Sequence, residues 1–295
     1  MSISKLQFVR NLHAFLRTGF HAYSLFGLFA FTILVPFNAI AQGNLLVTPR
    51  RVVFEGNKRS VDLNLANIGK DTATYAISLI QIRMKEDGGF ETITSPDPGQ
   101  NFADQNLRFF PRSVILPPNE AQVVKVQILR ATQLAPGEYR SHFYFRSVPK
   151  IKPLGEKETV TDSSTISVHL TPVFGITIPA IIRVGESNTK VNLSDLALEI
   201  AGDGTPKLTL TFNRTGIFSV YGDLSVDHIS PGGTVTRVGV ANGIAVYTPN
   251  PIRRFQLNLN KVQGLDFRSG KLLVVFSAPS DVKPVRYAEA ELVLH

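Results

Sequence analysis

The chain has 295 residues, 43% hydrophobic and 18% charged, which suits one large or two ordinary folded domains and lacks the composition of disordered protein. It has no cysteine, which excludes thiol catalysis, cysteine-ligated metal and disulfide stapling. Its formal charge is +8, but the first 41 residues hold three of the 31 Lys and Arg and no Asp or Glu; the rest carries 28 basic against 23 acidic residues, a scattered +5 that gives no reason to invoke nucleic acid.

Lys5, Arg10 and Arg17 precede an apolar run over residues 23–37, and Ala39, Ile40 and Ala41 form an A-x-A pattern before Gln42. That order predicts a signal peptide over residues 1–41, cleaved on export. The alternative is a transmembrane anchor, but the run has about 14 residues where about 20 are needed to span a bilayer. No later stretch is long and apolar enough to cross a membrane, so the mature protein is expected to be soluble.

From residue 45 onward the pattern is β. Val61, Leu63 and Leu65 alternate with Ser60, Asp62 and Asn64; Val124, Val126 and Ile128 alternate with Lys125 and Gln127; Leu208 and Leu210 alternate with Thr209 and Thr211. Period two marks strands with one buried face. Gly, Pro and Asn clusters between these runs supply turns at the spacing of sandwiches and barrels. Strands are predicted at residues 45–54, 59–67, 72–84, 112–116, 122–129, 138–148 and 165–178. Seven is the number an immunoglobulin-like sandwich needs. Residues 150–164 are polar and charged and read as a long mobile loop. Residues 179–186 read as a junction, and further strands are predicted at 207–213, 220–228, 234–241, 253–259, 271–277 and 286–294. The expected domains are 42–183 and 184–295, and the last strand reaches the C-terminus, where the chain is expected to be complete.

Residues 165–178 show the longest alternation. Ile166, Val168, Leu170, Pro172, Phe174, Ile176 and Ile178 share one parity, with Thr165, Ser167, His169, Thr171, Val173, Gly175 and Thr177 on the other. Fourteen residues would extend about 45 Å, well beyond a usual strand. Either the whole row faces its own core or part of it projects past its own sheet.

Motifs for chemistry are absent. His142, His169, His228 and His295 have no metal-ligand spacing, and there is no GxSxG, P-loop or dinucleotide-binding glycine pattern. No catalytic residue, metal ligand or cofactor is assigned, and the protein is expected not to be an enzyme.

Three segments occur together: Val47-Thr-Pro-Arg-Arg-Val-Val-Phe-Glu-Gly56, Phe110-Pro-Arg-Ser-Val-Ile-Leu-Pro-Pro-Asn119, and Pro136-Gly-Glu-Tyr-Arg-Ser-His-Phe-Tyr-Phe145. In this order and spacing they resemble the N-terminal domain of PapD-like periplasmic pilus chaperones, over most of residues 45–185. The resemblance implies an all-β fold of two immunoglobulin-like β-sandwich domains in an L-shaped arrangement with an interdomain cleft. It also implies a periplasmic protein that stabilises pilus or surface-fibre subunits by lending them a strand and delivers them for assembly at an outer-membrane usher. Strand addition of this kind takes affinity from main-chain hydrogen bonds and specificity from alternate side chains. The implied donor strand is Ile166, Val168, Leu170, Pro172 and Phe174, with the first three given to the subunit. The implied anchor for the subunit's C-terminal carboxylate is Arg51, with Arg50 as competitor because one residue flips the face.

The chain departs from the family in having no Lys or Arg between residues 165 and 178, where better-known members place a second cation. Arg50 could serve beside Arg51, or Arg183 could help, or the grip differs. The competing reading is an exported β-sandwich structural or adhesin-like subunit, but only Gln42, Gly43 and Asn44 precede the first strand, too short for a subunit's extension. A self-capping dimer of the free chaperone is left open.

Overall fold

The computed structural model describes residues 44–149, 173–280 and 284–295. The expected signal peptide, the expected loop at 150–164, and Ile166, Val168, Leu170 and Pro172 lie outside the described residues. The first sandwich contains β1 (Leu45–Thr48), β2 (Val52–Phe54), β3 (Ser60–Asn67), β4 (Ala73–Met84), β5 (Phe90–Ile93), β6 (Leu107–Phe110), β7 (Ser113–Leu116), β8 (Ala121–Ile128), β9 (Gly137–Val148) and β10 (Gly175–Val184). One sheet runs β1-β3-β8-β6; the other runs β2-β10-β9-β4-β5, with β7 also on β4.

Alternation along each strand builds the core between the sheets. Leu63, Leu65, Val124 and Val126 enter from one sheet; Tyr75, Ile77, Phe143, Phe145, Ile178, Ala180 and Ile182 enter from the other. Phe109 of β6 meets Phe143 of β9 edge-on at 5.2 Å, closing the two faces on each other.

Two local features differ from the sequence expectation. The strand expected at residues 45–54 is split, because Pro49 offers no N–H to a ladder. Residues 49–51 carry the chain between sheets, so that β1 pairs antiparallel with β3 while β2 pairs parallel with β10. The strand expected to end at Ile178 instead runs from Gly175 to Val184, antiparallel to β9 throughout, and Pro179 lies inside it opposite His142. A proline is tolerated there because β2 joins β10 only from Ala180 onward, leaving no outer neighbour at Pro179 that needs a donor.

The second sandwich contains β11 (Lys190–Ile200), β12 (Pro206–Thr215), β13 (Val220–Ile229), β14 (Val235–Val246), β15 (Ile252–Asn258), β16 (Lys271–Ser277) and β17 (Arg286–Val293). Its sheets run β11-β12-β15 and β14-β13-β16-β17 around a core that includes Leu208, Phe212, Leu224, Val226, Val274 and Phe276. The fold class expected from the sequence is the one observed: all-β, with two sandwiches of immunoglobulin-like type. Among the described residues no helix is long and apolar enough to cross a membrane.

Candidate functional site

Odd-numbered residues of β9 turn into the first core, so its even-numbered residues face outward. In an isolated sandwich Glu138, Arg140 and His142 would be solvated; here all three are buried, because the second sandwich covers that end of the sheet. Charged groups withdrawn from water must be paired, and the pairing defines the site.

Glu138 is the hub. Arg140 donates to Oε1 through Nη2 at 2.6 Å and through Nε at 3.2 Å. Arg183 stands opposite Glu138 in the β9–β10 register and donates to Oε2 through Nε at 3.3 Å. Ser219, from the second sandwich, donates to Oε2 through its backbone N–H at 2.9 Å and through its hydroxyl at 2.7 Å. Burial is the largest influence on this carboxyl and pushes its pKa up; the Arg140 and Arg183 guanidiniums and the Ser219 bonds outweigh it and hold the pKa at about 2.

Ser219 is presented by the turn ahead of β13. Arg214 holds that turn, donating through Nη1 to the carbonyls of Gly216 at 2.8 Å and Phe218 at 2.9 Å, and through Nε to that of Asn250 at 3.0 Å. Gly216 has φ +89°, and a Cβ there would come within 2.6 Å of the Thr189 Cα, so turn and crossing chain approach this closely only around a glycine.

Two arginine–tyrosine stacks also join the sandwiches. Arg140 lies 3.7 Å over the Tyr247 ring and Arg51 lies 3.7 Å over the Tyr221 ring. His142 stacks on the other ring of this set, Tyr247, at 5.9 Å, with Nε2 3.4 Å from the Tyr247 hydroxyl. Burial, then the neighbouring Arg140 charge, pulls the His142 pKa down to about 3, so the imidazole is neutral at ordinary pH. Met84 packs with Ala245 and Tyr247, and the Asn250 amide donates to the Met84 carbonyl at 2.6 Å.

Between these contacts lies a pocket of about 270 Å³ whose lining includes Arg50, Arg51, Arg140, Arg253, Pro179, Tyr221 and Tyr247, with no Asp or Glu. Arg51 is half-buried just ahead of β2, and Arg50 is exposed. Burial, then Arg140 and Arg183, lowers the Arg51 pKa. The structure therefore brings Arg51 and Arg50 to one pocket. Arg183, offered by the sequence as a helper, is bound to Glu138.

Phe174 is 43% exposed just ahead of β10; its N–H donates to the Ser147 hydroxyl at 3.0 Å and its carbonyl accepts from the Ser147 N–H at 2.8 Å. Along the same parity Ile176 is half-buried, and Ile178 is 4% exposed. The apolar row thus rises out of its own core toward its N-terminal end. Among the described residues Gly175–Pro179 pair only with β9, and their outer edge is open until Val52 of β2 meets Ala180. Arg51 stands at the end of that open stretch.

The sequence reading passes over Glu138, Arg140, Ser219, Tyr221, Tyr247 and Arg253. Glu138 and Arg140 had a usable signal: opposite charges two apart on a strand share one face, and within an apolar strand such a pair asks for cover. The others come from the second sandwich, and no local pattern marks them. Among the described residues no cluster of three or more His, Asp or Glu could hold a metal ion.

No family model and no curated protein matches the chain. Among solved structures it is similar to fimbrial chaperones. The YadV chaperone is 13% identical over 85% of this chain and 100% of that one, with a TM-score of 0.43. The class 5 fimbriae chaperone CfaA is 15% identical over 85% and 99%, with a TM-score of 0.40. A chain of the CsuC–CsuE chaperone–tip adhesion subunit pre-assembly complex, from the archaic chaperone-usher Csu pili of Acinetobacter baumannii, is 13% identical over 83% and 99%, with a TM-score of 0.42.

Proposed function

We propose that the protein is a divergent PapD-like chaperone of the periplasm, reached through a cleaved signal peptide. It binds pilus or surface-fibre subunits by donating the strand that leads into β10 and hands them to an outer-membrane usher. The observation that carries this reading is the apolar row that leaves its own core between Ile178 and Phe174 beside an open strand edge. Continued on the same parity, the row is Pro172, Leu170, Val168 and Ile166. An open edge beside an apolar row suits completion of another protein's sheet. A strand added along Gly175–Pro179 would stop where β2 begins, against Arg51 in a pocket lined by arginines and no carboxylate. That placement supports Arg51, with Arg50 at the rim, as the anchor of a terminal carboxylate.

The alternative of a fibre subunit is weaker on the same ground, since a subunit that polymerises by receiving a strand lacks one of its own, and here each sandwich has its last strand, β10 and β17, in its sheet. Tagged protein recovered from the periplasmic fraction of its host is expected to bring with it a β-rich subunit that is otherwise insoluble. Val168→Glu and Leu170→Glu are each expected to lose that subunit and to keep wild-type thermal unfolding. Undiminished capture by both variants overturns strand donation.

A further inference from the structure

β4 pairs with β9 as far as Ile80; from Gln81 to Met84 it pairs with β5 instead, and the two strands leave the sheet as a hairpin arm. The base of the arm is fixed. Arg83 donates to both oxygens of Asp97, at 2.6 and 2.5 Å, and the Gln100 amide donates to the Ile82 carbonyl at 3.3 Å. Its turn is closed by the Gly88 N–H on the Lys85 carbonyl at 2.9 Å and the Lys85 N–H on the Gly89 carbonyl at 2.8 Å.

The tip of the arm rests on the second sandwich. The Glu86 carbonyl accepts from the Arg254 N–H at 2.7 Å. Arg254 belongs to β15, an edge strand, so the tip occupies a main-chain donor on the side that β12 leaves free. The side chains of the same two residues pair at 2.9 Å, but both are exposed and such a pair adds little. The Phe90 ring lies 5.7 Å from that of Tyr247. Gly88, with φ +83°, sits so near Arg253 that a Cβ would come within 2.5 Å of its Nη2.

The two ends of the join differ. At β9 and β10, Glu138 is fully paired, and the chain itself crosses between the sandwiches over residues 185–189. That crossing is tied to the Ser219 turn: the Ile217 N–H donates to the Asn188 side chain at 3.0 Å and the Phe218 N–H to the Thr189 hydroxyl at 2.9 Å. Toward β5, three strand spacings or about 14 Å from β10, the contact is less complete. Among the described residues the two buried side-chain polar atoms without a partner are Arg253 Nε, under the hairpin turn, and His142 Nδ1, beside Tyr247. Unpaired polar atoms make a buried contact costly to keep closed.

We propose that the β4–β5 hairpin is a latch between the sandwiches. Closed, it seats Glu86 on the edge of β15 and holds Tyr247 over β9. Released, it lets the second sandwich pivot about the Glu138–Ser219 contact and the chain crossing beside it. Opening bares Met84, Tyr247 and the edge of β15. It also brings water to Arg253 and His142, which offsets part of what the arm's contacts contribute. The latch stands whatever the open edge of β10 binds.

The chain has no cysteine, so spin labels can be placed on Lys125→Cys and Glu199→Cys, exposed positions on β8 and β11. With no other change, electron–electron double resonance is expected to give one narrow distance. Gly88→Val drives a branched side chain against Arg253, and Arg254→Glu sets two carboxylates against each other at the tip; each is expected to add a second distance. NMR of the unlabelled variants reads the two ends of the join separately. The His142 pKa, about 3 under Tyr247 and beside Arg140, is expected to rise by about one unit or more toward that of a solvated imidazole, while the Ser219 amide signal stays in place. Arg254 is exposed and outside both cores, so Arg254→Glu decides alone if Gly88→Val disturbs the turn itself. A single unchanged distance with an unmoved His142 overturns the latch. A second distance accompanied by a shifted Ser219 amide overturns the pivot, because the whole join then parts at once.

Discussion

His142 shows how far one residue's chemistry is set by what covers it. On an outward-facing position of β9 it would titrate near 6.5, as a solvated imidazole does; buried under Tyr247 and beside Arg140, its pKa falls to about 3. A basic group whose folded pKa lies below its unfolded value contributes stability that is whole above the unfolded pKa and is lost as pH falls toward the folded one. The window for His142 is therefore from about pH 6.5 down to about pH 3. Between pH 7 and pH 5 this one group should remove about 2 kcal/mol of stability, at 1.36 kcal/mol per pH unit below 6.5. His142→Phe keeps a ring against Tyr247 and cannot titrate. Urea unfolding at both pH values is expected to show the wild type losing that amount more than the variant. Equal losses would mean that the imidazole can already take up its proton in the folded protein.

At the scale of the strand, β10 does two jobs along one parity. Ile178, Ala180 and Ile182 are core residues, whereas Phe174 is not. Ile178→Ala is expected to cost about 2–5 kcal/mol, as for a buried aliphatic side chain, and Phe174→Ala less than about 0.5 kcal/mol, as for an exposed one. If urea denaturation gave the two substitutions similar costs, the row would be seated in its own core as far as Phe174, with no free end to lend.

The same strand shows what sequence can and cannot fix. Alternation located β3, β8 and β12, whose buried and exposed residues follow it. It put the end of β10 too early, because Pro179 reads as a break unless one knows that β2 leaves that position without an outer neighbour. It missed β11, where a bulge between Ser194 and Ala197, with Asp195 at φ 54°, breaks the period. It also missed β5 and β6, four residues each, too short to establish a period. Of the site, Arg51 was legible through the segment ending in Phe54, Glu55 and Gly56. The cover that turns Glu138, Arg140 and His142 from solvated to buried comes from residues some 80 to 105 positions away, Ser219 and Tyr247, and leaves no local trace.

For the whole molecule, two sandwiches with separate cores are joined largely by polar groups gathered on one carboxylate. Glu138 accepts from Arg140 and Arg183 of its own sandwich and from Ser219 of the other, so it fixes how the second domain sits over β9. Removing one member of a buried charge network leaves the others uncompensated, at about 3–5 kcal/mol. Glu138→Gln keeps the shape and removes the charge that holds two guanidiniums. That loss should fall mainly on the join, since each core is intact, and calorimetry is expected to resolve one cooperative transition into two. The pH dependence of the wild type should follow the same logic. Glu138 has its pKa depressed from 4.5 to about 2, so its contribution is complete above about pH 4.5 and lost as pH falls toward 2. Near pH 2 to 3 the wild type should therefore unfold in two steps like the variant, and at pH 7 in one. A single transition at the wild-type temperature in Glu138→Gln would mean that the arginine–tyrosine stacks and the Met84 contact suffice to hold the domains together.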